Sequence, residues 1–328
     1  MTRKLTHLTL GLAVLAACAL FMTYQTYGNL DFAIALRGKK MLAFILVGIA
    51  CSFSTISFQT LTQNKLLTPN ILGIDSFYVL IQTLSIFVFG SQSLSKATNI
   101  WDFLLTILLM ISLSTYLAFT LLKKFKQNLF LFLMIGMILG TFFNNVSSFM
   151  QVILNPNEYD HLQGKLFASF SNVKPDHLVL ATILIGLLCL FLWWLAPQLD
   201  VLHLGNDHAV NLGIDLRRLQ LMSLFAITAL VGISTALVGP TSFLGFIVAN
   251  IAYQLMKTYR HRELFLAGSL IAILLLILGE FMVEHIFSFN TTLNVIIEFT
   301  GAATLSGKSY TKEMVTKDEN RKLIEIVW

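Results

Sequence analysis

The 328-residue sequence predicts an all-α, polytopic membrane protein, and three observations carry that prediction. Only 12% of positions are charged and 56% are hydrophobic, whereas a soluble domain carries about 25% charge, so too little charge is present to coat a water-soluble globule. The apolar residues fall in repeated runs, several near the roughly 20 residues that a helix needs to cross a bilayer core. All five prolines (Pro69, Pro156, Pro175, Pro197, Pro240) lie between or at the ends of those runs, as expected if the runs are helices. The net charge of +5 is scattered through short connections and forms no basic stripe, which argues against a nucleic-acid surface. Cys18, Cys51 and Cys189 all sit in apolar runs and read as small hydrophobes, with no C-x-x-C pair among them.

About ten spans are expected. The first, 8–27, follows Arg3 and Lys4; it exceeds the 7–15 apolar residues of a secretory leader and lacks a small-residue cleavage site, so it reads as a membrane helix. Spans near 41–62, 74–90, 101–122, 129–151 and 177–196 follow, each closed by a polar or proline-containing break. The next two, 219–238 and 243–257, are joined by Gly239-Pro240 with no charged loop. The chain must therefore turn at or within the membrane surface, where non-helical backbone has to be buried or line a cavity. A ninth span covers 263–283, and a tenth run beginning near 292 breaks down by about Thr304, as if truncated. The expected organisation is one membrane domain over 1–306 and a charged cytoplasmic tail over 307–328.

With a cytoplasmic N-terminus, eleven Lys and Arg residues fall in inside connections before the tail, against six outside: Arg37, Lys39, Lys40, Lys96, Lys165 and Lys174. The positive-inside rule favours that orientation. Three of the outside bases cluster at Arg37-Gly38-Lys39-Lys40 against the rule, which suggests a partner surface.

Several faces carry polar residues that lipid would leave unsatisfied. In the fifth span Gly136, Gly140, Asn144, Ser148 and Gln151 share one side of a helix, a pattern that serves either as a pathway wall or as close interhelical packing. Ser52, Thr55 and Gln59 form a similar face in the second span. The connection Leu204–Arg218 is expected to hold a short helix, N-capped by Asn206 or Asp207 and ended by Gly213. Glu280 and Glu298 are the acids deepest in apolar surroundings, and ion-coupled secondary transport through such acids is the alternative functional reading. Residues Ala302–Ser309 imitate a phosphate-cradling loop, but that reading would require a strand before it, a long helix after it and a full nucleotide domain to follow, and nineteen residues follow here, so nucleotide binding by this chain is not expected. The seven histidines show no metal-ligand spacing, and no metal is expected.

A family resemblance rests on ordered motifs. The segment 48–59 followed by Asn64-Lys-Leu-Leu-Thr-Pro69-Asn-Ile-Leu72-Gly73, then Gly239-Pro240-Thr-Ser-Phe243-Leu-Gly245, resembles the ferric-siderophore, haem and cobalamin permeases of ABC importers. Asn155–Tyr159, Phe167–Val173 and Lys257–His261 are most similar to the branch serving catecholate-type siderophores. Where many members have Pro-His and then Arg after the Gly-Pro motif, this sequence has Ala249, Asn250 and Tyr253, so no role is carried onto those positions. The resemblance implies a type II ABC importer permease fold in a bacterial plasma membrane and no covalent chemistry in this chain. It also implies a second permease subunit, an extracellular binding protein, and two cytoplasmic ATPases that hold the ATP and magnesium. The ATPase-coupling residues it implies are Gly205, Asn206, Asp207, His208, Ala209, Leu212, Gly213 and Arg217, and the binding-protein docking residues are Arg37 and Lys40.

Overall fold

The computed structural model describes residues 3–24, 30–96, 100–124, 129–171, 173–289 and 291–301. Its elements are α1 (Arg3–Thr23), α2 (Leu30–Leu61), a 3-10 turn (Pro69–Leu72), α3 (Ile74–Lys96), α4 (Ile100–Lys124), α5 (Leu129–Ile153) and α6 (Pro156–Leu166), followed by α7 (Pro175–Leu202), α8 (Asn206–Asn211), α9 (Leu216–Val238), α10 (Leu244–Met256) and α11 (His261–His285). Residues 293–301 are helical as well. The expected tail at 307–328 and the loop motif at 302–309 lie outside the described residues.

Among the described residues, α1, α2, α4, α5, α7, α9 and α11 each contain a stretch long and apolar enough to cross a membrane. Helices α3 and α10 are apolar but contribute only Ile74–Gly90 and Leu244–Met256, because both start part-way through the bundle. The chain leaving α2 folds back through the 3-10 turn and Gly73, and α3 begins against the middle of α5. Helix α10 likewise begins after Gly239-Pro240 has carried the chain back inward.

Burial divides the helices into a centre and a rim. The spanning windows of α2 and α9 are each 78% buried and that of α11 67%, whereas α1 is 17% and α5 22%. Helix α2 packs against α11, α9, α7 and α10. In lipid no hydrophobic force drives one apolar helix onto another, so close backbone approach through small residues has to supply the contact. Gly48 packs on Ile273, Gly268 on Ser52 and Gly245 on Thr55.

Three expectations need correction. Helix α2 starts at Leu30, so Arg37-Gly38-Lys39-Lys40 lies inside a helix and in no loop; two acids of α11 neutralise Lys40, backbone carbonyls take up Arg37, and Lys39 is exposed. Helix α7 runs through Pro197 to Leu202. Leu195, Ala196, Leu199 and Leu202 are fully buried, and that packing offsets the one backbone bond proline cannot donate. The connection 152–176 contains α6, with Pro156 in its first turn, Glu158 beside it and Lys165 in its last turn, charges that suit the helix dipole.

The contact between α5 and the start of α3 is made of backbone. A Cβ placed on Gly140 would lie 3.1 Å from the Gly73 Cα, and one on Gly73, where φ is +78°, would lie 3.0 Å from the Gly140 Cα. We expect Gly140→Leu to cost about 1–3 kcal/mol through overpacking, read as a lower thermal midpoint of the purified chain. Met137→Leu, at a half-exposed site on the same helix, should leave the midpoint unchanged. Equal midpoints for the two variants would show that the contact is loose.

Candidate functional site

The described bundle has two candidate ends and one candidate wall. At the first end, α8 is a single short helix set between two glycines in the left-handed half of backbone space, Gly205 at φ +114° and Gly213 at φ +84°. Its N-cap residue is Gly205, with no side-chain capping bond. This corrects the expected capping by Asn206 or Asp207: both are already within the helix, and the sharp entry demands a glycine there. Ala209 is fully buried and anchors the element, while Asn206, Asp207, His208, Leu212, Gly213 and Arg217 are exposed. Leu204, Val210 and Leu212 are 59%, 54% and 65% exposed, so apolar side chains stand on the surface beyond the membrane-spanning stretch. Sequence reasoning missed Leu204 and Val210, since an apolar residue in a short loop carries no period. Asp215 Oδ1 accepts from the Arg218 amide at 3.1 Å and caps α9.

A buried polar clamp ties this end to the centre. Asp200 Oδ1 lies 2.6 Å from both the His261 backbone nitrogen and its Nδ1, and His261 Nε2 lies 2.7 Å from Thr60 Oγ1. Three helices, α7, α11 and α2, are thereby joined at one point. Gln63 Nε2 adds a bond to the Leu202 carbonyl at 2.8 Å. Burial, and then the neighbouring His261 and Lys65, push the His203 imidazole below its ordinary range. No sequence motif signals this clamp, because its members are separated by 61 and 201 residues.

At the opposite end, Arg37 Nη1 donates to the carbonyls of Phe21 and Tyr24, each at 2.7 Å, closing the last turn of α1 as a basic residue can. Lys40 is 6% exposed and lies between Glu280, at 3.4 Å, and Glu284. Lys40 is therefore a buried partner of α11 and presents no surface charge for docking. The same geometry bears on Glu280: it is bound to a lysine. Glu298 is exposed.

The candidate wall divides. Gly136 and Gly140 are buried against Leu72 and Gly73, which is packing. Asn144 and Ser148 lie on an exposed face of α5 with Met137 and Thr141, and Gln151, at its half-buried end, donates to Thr83 Oγ1 at 3.2 Å. Ser52, Thr55 and Gln59 are at most 2% exposed. Ser52 Oγ donates to the Phe265 carbonyl and Gln59 Nε2 to the Lys65 carbonyl, so this face belongs to the interior of the chain. Beside it, Asn70 and Ser242 both donate to Asp75 Oδ2, at 2.8 and 3.1 Å, joining the start of α3 to the start of α10. A polar cavity of about 20 Å³ bordered by Thr55, Asn70, Ser234 and Ser242 adjoins them, large enough for one water. Among the described residues no group of His, Cys, Asp or Glu is arranged to hold a metal ion.

Comparison with known proteins agrees with this architecture. The chain is 45% identical over 294 residues to the petrobactin import system permease protein YclO of Bacillus subtilis (strain 168), covering 90% of this chain and 93% of that one. It is 36% identical over 265 residues to the petrobactin import system permease protein FatC of Bacillus anthracis, covering 81% and 75%. To the ferric enterobactin transport system permease protein FepD of Escherichia coli (strain K12) it is 28% identical over 272 residues, covering 82% and 79%. A solved inward-facing structure of a metal-chelate type ABC transporter superposes with a TM-score of 0.83 over 94% of this chain and 99% of that one, at 20% identity, a likeness of fold alone. Residues 5–306 match the FecCD transport family, and so the chain, a multi-pass membrane permease and a transport component with no enzymatic role, belongs to that family.

Proposed function

We propose that the chain is the permease subunit of an ATP-driven importer of iron–siderophore complexes, working by alternating access at the interface with a second permease subunit. The observation that carries this reading is α8: an exposed short helix between two positive-φ glycines, showing Leu204, Val210 and Leu212 outside the spans. Such a surface calls for a protein partner, and a cytoplasmic ATPase that binds ATP and magnesium fills that role. The N-terminus and α8 then lie on the cytoplasmic side, where Arg3 pairs with Glu263 at 3.4 Å. An extracellular binding protein delivers the substrate to the other end. Arg37 remains a candidate docking residue there; Lys40 contributes through its pairing with α11. The two relatives named as petrobactin permeases make ferric petrobactin the first substrate to test.

Uptake of ferric petrobactin should stop when the partner ATPases are inactivated and continue when sodium and proton gradients are dissipated. The reverse pattern would favour the ion-coupled alternative. The pairing of Glu280 with Lys40 already argues against a free intramembrane acid there.

The exposed face of α5 forms the pathway wall in this reading. With Cys18, Cys51 and Cys189 replaced first, single cysteines at 144 and 148 in the assembled complex should react with a membrane-impermeant thiol reagent, at rates that change when the ATPases bind nucleotide. A cysteine at position 147, whose native serine is fully buried, should react much more slowly. Inaccessibility of 144 and 148 in a transporting complex would show that the face is buried packing.

A further inference from the structure

A cavity of about 550 Å³ opens between α3 and α4 at the end of the bundle opposite α8, within the size range of ligand sites. The end is fixed by α7, which begins at the cavity with Lys174 as its N-cap residue and finishes at Leu202, next to α8. The seam is open because α3 packs mainly on α5 and α4 mainly on α9, and because Gly90, at φ +71°, breaks the last turns of α3.

The lining has two chemically distinct parts. Gln82, Asp102, Lys165 and Lys174 make the polar part, with Lys165 Nζ 3.4 Å from Gln82 Oε1. Two ammonium groups face one carboxylate, so this part is cationic on balance. Burial pulls the Lys165 ammonium below its ordinary value, and an anion beside it would restore the charged form. Leu84, Val88 and Leu105 make the apolar part and are 41%, 65% and 58% exposed. They belong to apolar helices, and an exposed apolar side chain at that depth suits an acyl chain. Trp101, adjacent to Asp102 and 71% exposed, is the kind of residue that settles at headgroup depth. Cations at headgroup level above an open apolar seam match one ligand class, an amphiphile with an anionic head.

We propose that this cavity holds one anionic phospholipid of the adjoining leaflet, its headgroup phosphate on Lys165 and Lys174 and an acyl chain along the α3–α4 seam. The lipid links α6, through Lys165, to the two helices it borders, closing a gap that side chains leave open.

The test uses the purified full chain with the subunits that co-purify, titrated in detergent with phosphatidylglycerol or phosphatidylcholine, and adduct occupancy read by native mass spectrometry. Phosphatidylglycerol should fill one saturable site at lower concentration than phosphatidylcholine. The Lys165→Gln/Lys174→Gln variant should raise the half-occupancy concentration about thirtyfold, and Lys257→Gln, at the other end, should leave it unchanged. Leu105→Trp, which fills the seam without altering charge, should also raise it, and it guards against misreading a lysine variant that folds poorly. Excess inorganic phosphate should not displace the lipid. Equal occupancy by the two lipids, unchanged binding in the lysine and tryptophan variants, or displacement by phosphate alone would each overturn the proposal.

Discussion

Lys40→Met should destabilise the chain by about 3–5 kcal/mol, the usual cost of removing one partner from a buried ion pair. Glu280 and Glu284 have side chains only 7% and 11% exposed, and without the ammonium two carboxylates would stay buried side by side with no cation between them. The loss is read as a lower thermal midpoint in detergent. A triple variant, Lys40→Met/Glu280→Gln/Glu284→Gln, should recover most of it, since neutral groups carry a far smaller desolvation cost. An unchanged midpoint in Lys40→Met would mean that the carboxylates are satisfied by other groups. Failure of the triple variant to recover would assign the loss to packing of the lysine stem against Phe289, whose ring lies 5.9 Å from Nζ.

Gly213→Leu and Arg217→Glu should each reduce ATP-dependent uptake by roughly 5–150-fold, the range of a coupling free energy of 1–3 kcal/mol. Membrane insertion and the ATPase activity of the assembled complex should persist. Gly213 stands at φ +84°, where an L side chain costs about 1–2 kcal/mol, so leucine there would re-aim α8 without disturbing the spans. Arg217 is exposed in the first turn of α9, and its reversal changes the surface offered to a partner without touching the buried clamp. Wild-type uptake in both variants would remove α8 from the transmission path. Loss of insertion would instead show that the segment is needed for folding.

Hydropathy alone was enough to find the seven long spans, because an apolar run reports directly on transfer into lipid. It could not place the start of α2, since Lys40 is matched by acids 240 and 244 residues away, and a window sees only the lysine. Helix α6 was hidden for another reason: its residues are largely polar, and its one deeply buried apolar residue, Leu162, makes no pattern. The residues of the α8 segment were legible as a short helix ended by Gly213, although the cap, expected at Asn206 or Asp207, falls one or two residues earlier, at Gly205. The α5 face was legible as a face but not in its division, because glycines that touch backbone and polar residues that reach an open surface share the same spacing. The Asp200–His261–Thr60 clamp left no trace, being a product of tertiary assembly alone.

The contact between Gly73 and Gly140 also limits how the sequence can drift. An ordinary core site tolerates change in pairs, since a larger residue on one helix can be matched by a smaller one opposite. Here each position is already glycine, and what each would strike is the other's main chain, so neither side holds volume in reserve. No second-site change at either position can rescue a side chain introduced at the other. The pair therefore acts as one inherited unit, and a screen for suppressors of a Gly140 variant should recover none at residue 73.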